Sequence, residues 1–422
     1  MIRRGTNPPK KKGRRSLFYR ISAWLHLWLG LITGLIVVIV CLCACIWVFN
    51  EEITALMEPE TQIAKKNQPV ILPSRLISIA DSLYPDKKPG YAIYKQGSAV
   101  LLSLGQGRVG NTVLKINPYT GQVIKTVEHE AGETDFFRFI LNGHRFLWLP
   151  AEIGRPIVNY STLIFVIILI SGIVLWWPKK WTKAAKKQAF TIKTKASFKR
   201  VNYDLHNVLG FYALLVLAIM ALTGMVYGIK WYSKGLYWVT SGGEILPDFK
   251  RASSDSTQVG RFYSPVAIMD KCWKAVAAAH PEAEGFYYNF ADPSLPASSI
   301  NMTIYPTAGK YYNTRSFAFD QHTGERLTGT NPVYDKSFEN ASGAAKLRRM
   351  NYDIHVGSIL GLPGKILAFF GALIGASLPV TGFLLWLGKR RKKKKPVASS
   401  AIRQQAVVPQ IKTVAPVLAD QD

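Results

Sequence analysis

The sequence predicts a membrane protein, mainly α, with four transmembrane helices arranged as two parallel repeats and two extracytoplasmic α+β domains. Three observations carry this. Four uninterrupted apolar stretches are each long enough to span a bilayer. The basic residues collect in the segments that such spans would leave on one side. Short motifs at the span ends recur in the two halves of the chain.

The chain has 422 residues, 48% hydrophobic, with 11 Trp and a formal net charge of +27. A bilayer core of about 30 Å takes about 20 apolar residues in a helix. Residues 27–49, 157–177, 205–228 and 366–387 meet that length without one Asp, Glu, Lys or Arg. Residues 1–25 hold 8 Lys/Arg and no acid, residues 178–204 hold 9 and Asp204, and residues 388–422 hold 9 with Asp420 and Asp422. These segments therefore hold 23 of the 27 net positive charges, and four spans put all three on one face. Short basic loops stay cytoplasmic, so both termini and the 178–204 loop are expected there. The high charge is thus a topology signal, with Lys392–Lys395 a headgroup anchor, and nucleic acid is excluded as a partner. The 27–49 run is too long for a signal-peptide core and lacks a small-residue cleavage site, so it reads as an uncleaved first span. Cys41, Cys43 and Cys45 lie within it as small apolar side chains, and Cys272 stands alone outside, so no disulfide framework is expected.

The expected order is a basic cytoplasmic N-terminus (1–25), a span (26–49), an external domain (50–140), an interfacial segment and second span (141–177), and a basic loop (178–204). The second half repeats it: a span (205–228), an external domain (229–350), an interfacial segment and fourth span (351–387), and a basic tail (388–422). In the first external segment residues 74–83 carry an apolar stripe and read as a helix, followed by strands near 91–94, 100–104, 112–116 and 123–127. In the second, Ser264 and Pro265 mark a helix start running to about Ala279, with strands near 286–290, 300–305 and 316–319. Asn117-Pro118-Tyr119-Thr120-Gly121 and Asp320-Gln321-His322-Thr323-Gly324 read as matching turns.

The match extends into the spans. His26-Leu27-Trp28-Leu29-Gly30 opens the first, and His206-Asn207-Val208-Leu209-Gly210 opens the third. Ser171-Gly172-Ile173-Val174-Leu175-Trp176-Trp177 ends the second, and Thr381-Gly382-Phe383-Leu384-Leu385-Trp386 ends the fourth. Helix, external domain, helix is therefore an internal duplication, both copies entering the membrane in the same direction.

Four of the seven histidines sit at the span mouths: His26 and His206 on the cytoplasmic side, His144 and His355 on the external side. Under the repeat each pair combines equivalent positions. Two symmetry-related imidazoles facing one another are what bis-histidine ligation of haem iron needs. Gly30 and Gly210, four residues after their histidines, leave room for a flat macrocycle. Two haems b are expected, one on His26 and His206 and one on His144 and His355. The repeat Asn202-Tyr203-Asp204-Leu205-His206 and Asn351-Tyr352-Asp353-Ile354-His355 also reads as an Asp cap before a helix. His129, His280 and His322 read as surface residues without partners. Gly105-Gln106-Gly107-Arg108-Val109-Gly110 fits a dinucleotide fingerprint, but a strand follows where a helix is required, so it reads as a hairpin loop.

These residues resemble the PepSY-associated transmembrane proteins, and among them members that look like inner-membrane ferric-siderophore reductases. The matching pieces are His26-x-x-x-Gly30, Asp204-Leu205-His206, His355-Val356-Gly357, Gly361-Leu362-Pro363-Gly364, Pro379-Val380-Thr381-Gly382 and His144-Arg145, over about residues 15–392. The resemblance implies a bacterial inner membrane location, PepSY-like domains in the periplasm, haem on the membrane histidines and reduction of a ferric siderophore or other ferric chelate outside. Arg145, Arg348 and Arg349 flank the outer histidines and suit haem propionates, since Arg pairs bidentately with carboxylates. Electrons are expected from a separate cytoplasmic protein or from quinol in the membrane, since neither the 178–204 loop nor the 388–422 tail is large enough for a flavin or nicotinamide domain. Two alternatives remain open: a PepSY peptide-binding or protease-regulating module without redox activity, and a small-solute transporter, which the lack of acidic or basic residues in the apolar cores to carry a coupling ion disfavours.

Overall fold

The computed structural model describes residues 15–105, 110–130, 132–259 and 264–393. Helix α1 (Leu17–Trp47) starts at Ser16, whose hydroxyl accepts from the Tyr19 amide. The short α2 (Asn50–Met57) leads to α3 (Pro73–Leu83) and to strands β1 (Pro89–Lys95), β2 (Val100–Leu104), β3 (Asn111–Ile116) and β4 (Val123–His129). Then come α4 (Phe136–Phe146), α5 (Ala151–Trp176), α6 (Lys183–Phe190) and α7 (Phe198–Asp204). One widened turn, Leu205–Leu209, joins α7 to α8 (Gly210–Gly228). The second half continues with α9 (Lys230–Ser241), α10 (Pro265–Ala279), β5 (Gly285–Asn289), β6 (Ser299–Tyr305), β7 (Arg315–Asp320), β8 (Arg326–Leu327), α11 (Gly343–Val356) and α12 (Leu362–Lys393).

Four helices are long and apolar enough to cross a membrane: Leu17–Trp47, Ala151–Trp176, Phe198–Gly228 and Leu362–Lys389, with mean hydropathies of 3.0, 2.4, 2.3 and 1.9. All four extend beyond their apolar cores at the N-terminal end. In α1 the mixed stretch from Leu17 to Trp24 continues the helix, which puts His26 inside it rather than at its mouth. Helix α1 packs against α5 and α12, and α8 packs against the same two. Small residues allow the close approaches. A side chain on Gly34 would meet Pro379 at 3.2 Å, and one on Gly375 would meet Leu217 at 2.9 Å and Cys41 at 3.1 Å.

The strands form one eight-stranded antiparallel sheet, in the order β4-β3-β2-β1-β5-β6-β7-β8. Its two halves meet where β1 pairs with β5, Ile93 opposite Tyr287. In sequence β1 ends at Lys95 and β5 begins only at Gly285, and each half reads as its own domain. A lone four-stranded half would leave β1 as an open edge of unpaired amides and carbonyls, and pairing with β5 closes both edges at once. A single core results. Leu76 and Ile79 of α3 and Ile268, Cys272 and Trp273 of α10 pack with Leu102, Leu114, Tyr288, Ile300 and Met302 of the strands. Ser264 accepts from the Ala267 amide with Pro265 at the first position, as the sequence indicates for this helix start.

The other face of the sheet meets the bundle end. Lys95 pairs with Glu51 at 2.9 Å, Tyr311 donates to the same Glu51 at 2.9 Å, and Lys365 of α12 pairs with Glu52 at 2.7 Å. Gly105 and Gly110 take positive φ between the paired strands β2 and β3, so the glycine-rich run, whose residues 106–109 lie outside the described ones, does connect a hairpin. Lys394 and Lys395, and the side chains of Lys392 and Lys393, also lie outside the described residues. Cys272 is buried in the sheet core. His280 and His322 are not partnerless: His280 Nδ1 meets Glu282 at 3.1 Å, and His322 Nε2 donates to the Pro296 carbonyl at 2.8 Å.

Candidate functional site

Four imidazoles form two pairs. The ring centres of His26 and His206 lie 6.1 Å apart, their planes at 87°. Those of His144 and His355 lie 6.2 Å apart, at 61°. His26 belongs to α1 and His206 to the widened turn before α8, a local form that recurs at functional sites. His144 is on α4 and His355 on α11, two short helices folded back against the bundle. Along α1, fourteen positions separate His26 from Val40, whose carbonyl oxygen accepts from His144. At 1.5 Å per residue the two pairs are roughly 21 Å apart along the bundle.

One hydrogen-bond pattern orients three of the rings. His26 Nδ1 meets the Ile168 carbonyl and the Ser171 hydroxyl, each at 3.1 Å. His206 Nδ1 meets the Leu378 carbonyl at 3.1 Å and the Thr381 hydroxyl at 3.0 Å. His355 Nδ1 meets the Thr223 hydroxyl at 3.0 Å, with the Met220 carbonyl beside it. The same turn of helix thus offers a carbonyl, a hydroxyl three residues on and a glycine four residues on. Side chains on Gly172, Gly382 and Gly224 would come within 3.3, 3.2 and 3.2 Å of Cε1 of His26, His206 and His355. The glycines let the rings lie flat against their helices. His144 is the exception: its Nδ1 meets only the Val40 carbonyl, at 2.9 Å, among the described residues.

The tautomer follows. A carbonyl only accepts, so each Nδ1 carries the proton. The hydroxyl hydrogens are taken too, Ser171 donating to Ile168 O at 2.9 Å and Thr381 to Leu378 O at 3.0 Å. Each Nε2 then presents a bare lone pair, the form that ligates metal, with the other nitrogen held by an acceptor. A metal–imidazole bond of about 2 Å with roughly 1.2 Å from ring centre to nitrogen puts two trans imidazoles about 6.4 Å apart. The observed 6.1 and 6.2 Å fit that span. Among the described residues no three His, Cys, Asp or Glu side chains gather as a metal centre. Each pair supplies two ligands only, so a metal held there must bring its remaining ligands with it, as a macrocycle does.

Gly30 and Gly210 are not demanded by protein packing. A side chain on Gly30 would meet nothing within 4 Å, and one on Gly210 would meet Leu378 at an ordinary 3.5 Å.

Neither Asp204 nor Asp353 caps a helix; the caps of α7 and α11 are Ser197 and Ser342. Both aspartates are fully buried inside helices. Asp204 accepts from Arg200 and from the Lys193 amide, and Asp353 from the Tyr311 amide and the Ser358 hydroxyl. They pin neighbouring loops to the helix that carries the histidine. The flanking asparagines reach the partner helix: Asn202 donates to Thr381 O at 3.0 Å and Asn351 to Thr223 O at 3.1 Å. Ser171, Thr381, Thr223, Asn202 and Asn351 are the site residues that histidine counting misses. Ser171-Gly172 and Thr381-Gly382 were visible as matching span ends, but a hydroxyl's aim toward an imidazole was not.

The three arginines separate. Arg145 is exposed and has no acidic partner among the described residues. Arg348 lines a cavity of about 420 Å³ with Tyr227, Tyr334 and Tyr352, and Tyr227 lies 6.0 Å from the His355 ring. Arg349 is buried and donates to the carbonyls of Tyr312, Lys336 and Thr314. That guanidinium is committed to the protein, so its expected role beside a propionate does not hold. The aromatic side chains of the spans are dispersed: Phe211 stacks on Trp176 at 3.8 Å, Phe369 packs on Phe49, and Trp28 is exposed.

The family model of the PepSY-associated TM region matches residues 23–389. The chain belongs to that family. All four paired histidines lie inside the match, as do the hydroxyls and asparagines around them. A comparison with curated proteins gives no match. As a PepSY-associated membrane protein the chain carries both histidine pairs within the family's own region.

Proposed function

We propose that each histidine pair holds one haem b through its Nε2 atoms, and that the protein passes single electrons along the bundle to a ferric siderophore or other ferric chelate on the sheet side. The observation that carries this is the geometry of the pairs, with every Nδ1 committed to a backbone or hydroxyl acceptor and every Nε2 left free of hydrogen bonds among the described residues. Haem, when bound, supplies a one-electron Fe(III)/Fe(II) couple. The chain's residues do the rest. His26 with His206 and His144 with His355 would each hold one haem through two imidazoles, so an acceptor would take electrons without binding at the iron. Leu169, Ala213 and Leu217 form a buried apolar cluster within the bundle. Arg145 and Arg348 stand at the outer pair for propionates or an anionic chelate.

The basic segments support termini in the cytoplasm and a sheet on the external side, which for a bacterial inner-membrane protein is the periplasm, with the sheet read as two PepSY-like halves of an internal duplication. The mirrored strand order supports that duplication, as does the shared pattern around His26 and His206. Electrons enter at the His26–His206 end, from a cytoplasmic protein or membrane quinol.

A PepSY peptide-binding module without redox chemistry gives no reason for four imidazoles in one tautomer. The deciding experiment is a reduced-minus-oxidised visible spectrum of detergent-purified protein with haem quantified per chain. Two haems are expected; none would leave the peptide-binding alternative standing.

A further inference from the structure

The pattern around the histidines is broken at one place. For His26, His206 and His355 a carbonyl is followed three residues later by Ser171, Thr381 or Thr223, and four residues later by glycine. For His144 the carbonyl is that of Val40, and the residues in those positions are Cys43 and Ala44. Cys43 is buried, its Sγ lies where a side chain on Gly143 would reach it at 2.9 Å, and it makes no hydrogen bond to His144 among the described residues. A thiol is a weak acceptor, so His144 keeps one strong acceptor where the two histidines of the other pair have two each.

This difference has a direction. An acceptor on Nδ1–H draws the proton away, raises the basicity of Nε2 and strengthens its donation to a metal. Stronger donation favours the ferric over the ferrous state and lowers the reduction potential. The His26–His206 pair has four such acceptors, and the His144–His355 pair is short of one hydroxyl. Charge acts the same way. Arg145, next to His144, has no acidic partner among the described residues, whereas Arg200, six residues before His206, is paired with Asp204 at 2.9 Å. An uncompensated positive charge favours the reduced state.

Resting on the proposed haem ligation, we infer that the missing hydroxyl at Cys43 sets a potential step between the pairs, the His144–His355 pair being the higher, so that electrons run downhill toward the sheet. Cys43 is a positioning residue here, acting through His144. With haem bound, the transfer the step would favour is one electron from a ferrous group held by His26 and His206, oxidised to ferric, to a ferric group held by His144 and His355, reduced to ferrous, with no proton required.

The test is a redox titration of the visible spectrum of the purified, haem-loaded protein, with His206→Ala used to assign the outer midpoint. Cys43→Ser places a hydroxyl at the vacant position, where its hydrogen can go to the helix backbone as in the other three. The higher midpoint should fall toward the lower while the lower stays in place. Cys43→Ala removes the thiol without adding an acceptor and should leave both midpoints where they were. Ser171→Ala, from the other side, should raise the lower midpoint. An outer midpoint that is the lower of the two, or that Cys43→Ser does not move, or that Cys43→Ala moves equally, overturns the inference with the haem reading intact. Protein that binds no haem overturns both.

Discussion

Asn202 and Thr381 tie the third membrane helix to the fourth beside the first histidine pair: the Asn202 amide donates to the Thr381 carbonyl at 3.0 Å, and the Thr381 hydroxyl faces His206 Nδ1 at 3.0 Å. Asn351, Thr223 and His355 repeat the arrangement at the other pair. The asparagine fixes the turn whose hydroxyl fixes the ring. Neither Asn touches a ligand position, yet each decides where one points.

Removing that support should weaken one site and spare the other. Outer-shell partners of metal-binding histidines are worth about 10–100-fold in affinity. Asn202→Ala is expected to lower haem retention at the His26–His206 pair by that order, and Asn351→Ala at the His144–His355 pair. Haem content followed through successive dilution in detergent measures this. Equal loss from both sites in either variant would show a general loosening of the bundle instead.

Ligand removal should be cleaner still. With pairs roughly 21 Å apart along α1, no side chain of one pair can substitute in the other. His206→Ala is expected to remove about half the haem and leave the other half with unchanged bis-histidine spectra. Unchanged haem in His206→Ala would sink the assignment of the first pair.

The sequence shows the apolar cores of the spans, the helices α3 and α10 and seven of the eight strands, because hydrophobic period and capping are local signals. The two-residue strand β8 is too short to carry a period. The pairing of β1 with β5 lies outside local reading altogether, since either strand would look the same at an open edge. For the site, the histidines were legible as a repeated position, whereas their orientation was not. His144 precedes two residues with left-handed backbone, Leu147 and Trp148, at φ of 57° and 58°, a conformation costing each of them on the order of 1 kcal/mol or more. Nothing in Leu-Trp announces such a turn. In the second half Gly357, at φ 82°, does the same work after His355 without strain, and its glycine is visible. The Asp204 and Asp353 assignment failed because a buried aspartate holding a loop and an exposed one capping a helix share one sequence pattern.

Arg348 and Arg349 are adjacent and should behave oppositely. Arg349 is 1% exposed and serves three carbonyls, which its removal would leave unpaired. Arg349→Ala is expected to cost about 3 kcal/mol or more, given about 1–3 kcal/mol for each buried group left unsatisfied. Arg348 is half-buried on the cavity wall and donates to no carbonyl among the described residues, so Arg348→Ala should cost about 1 kcal/mol or less. Thermal unfolding followed by tryptophan fluorescence separates them. A similar loss in both would mean that Arg348 has a structural partner.

Cys272 gives a pH prediction outside the membrane. Burial against the sheet pushes its thiol up to about 11 from the ordinary 9.0, because the thiolate loses hydration. The folded value is raised, so the stabilisation is present below the unfolded pKa and is lost as pH rises from about 9 toward 11. Alkylation of Cys272 at pH 8 should therefore be slow in native protein and fast in denaturant, read by mass spectrometry of the labelled peptide. Rapid native labelling would place the thiol at the surface.

The acceptor is the last expectation to test. If each pair holds haem as proposed, both imidazoles are used as ligands, and a ferric chelate would take electrons at the sheet-side pair without binding the iron. The cavity beside that pair carries Arg348 and three tyrosines, a surface that suits an anionic, partly aromatic chelate. Chemically reduced protein mixed anaerobically with a ferric siderophore should be reoxidised, with ferrous iron appearing in a trapping dye at one equivalent per electron. Arg348→Ala should slow reoxidation by an anionic chelate several-fold and leave a neutral one unaffected. If several ferric chelates reoxidise the protein no faster than buffer does, the haem pairs serve a different acceptor.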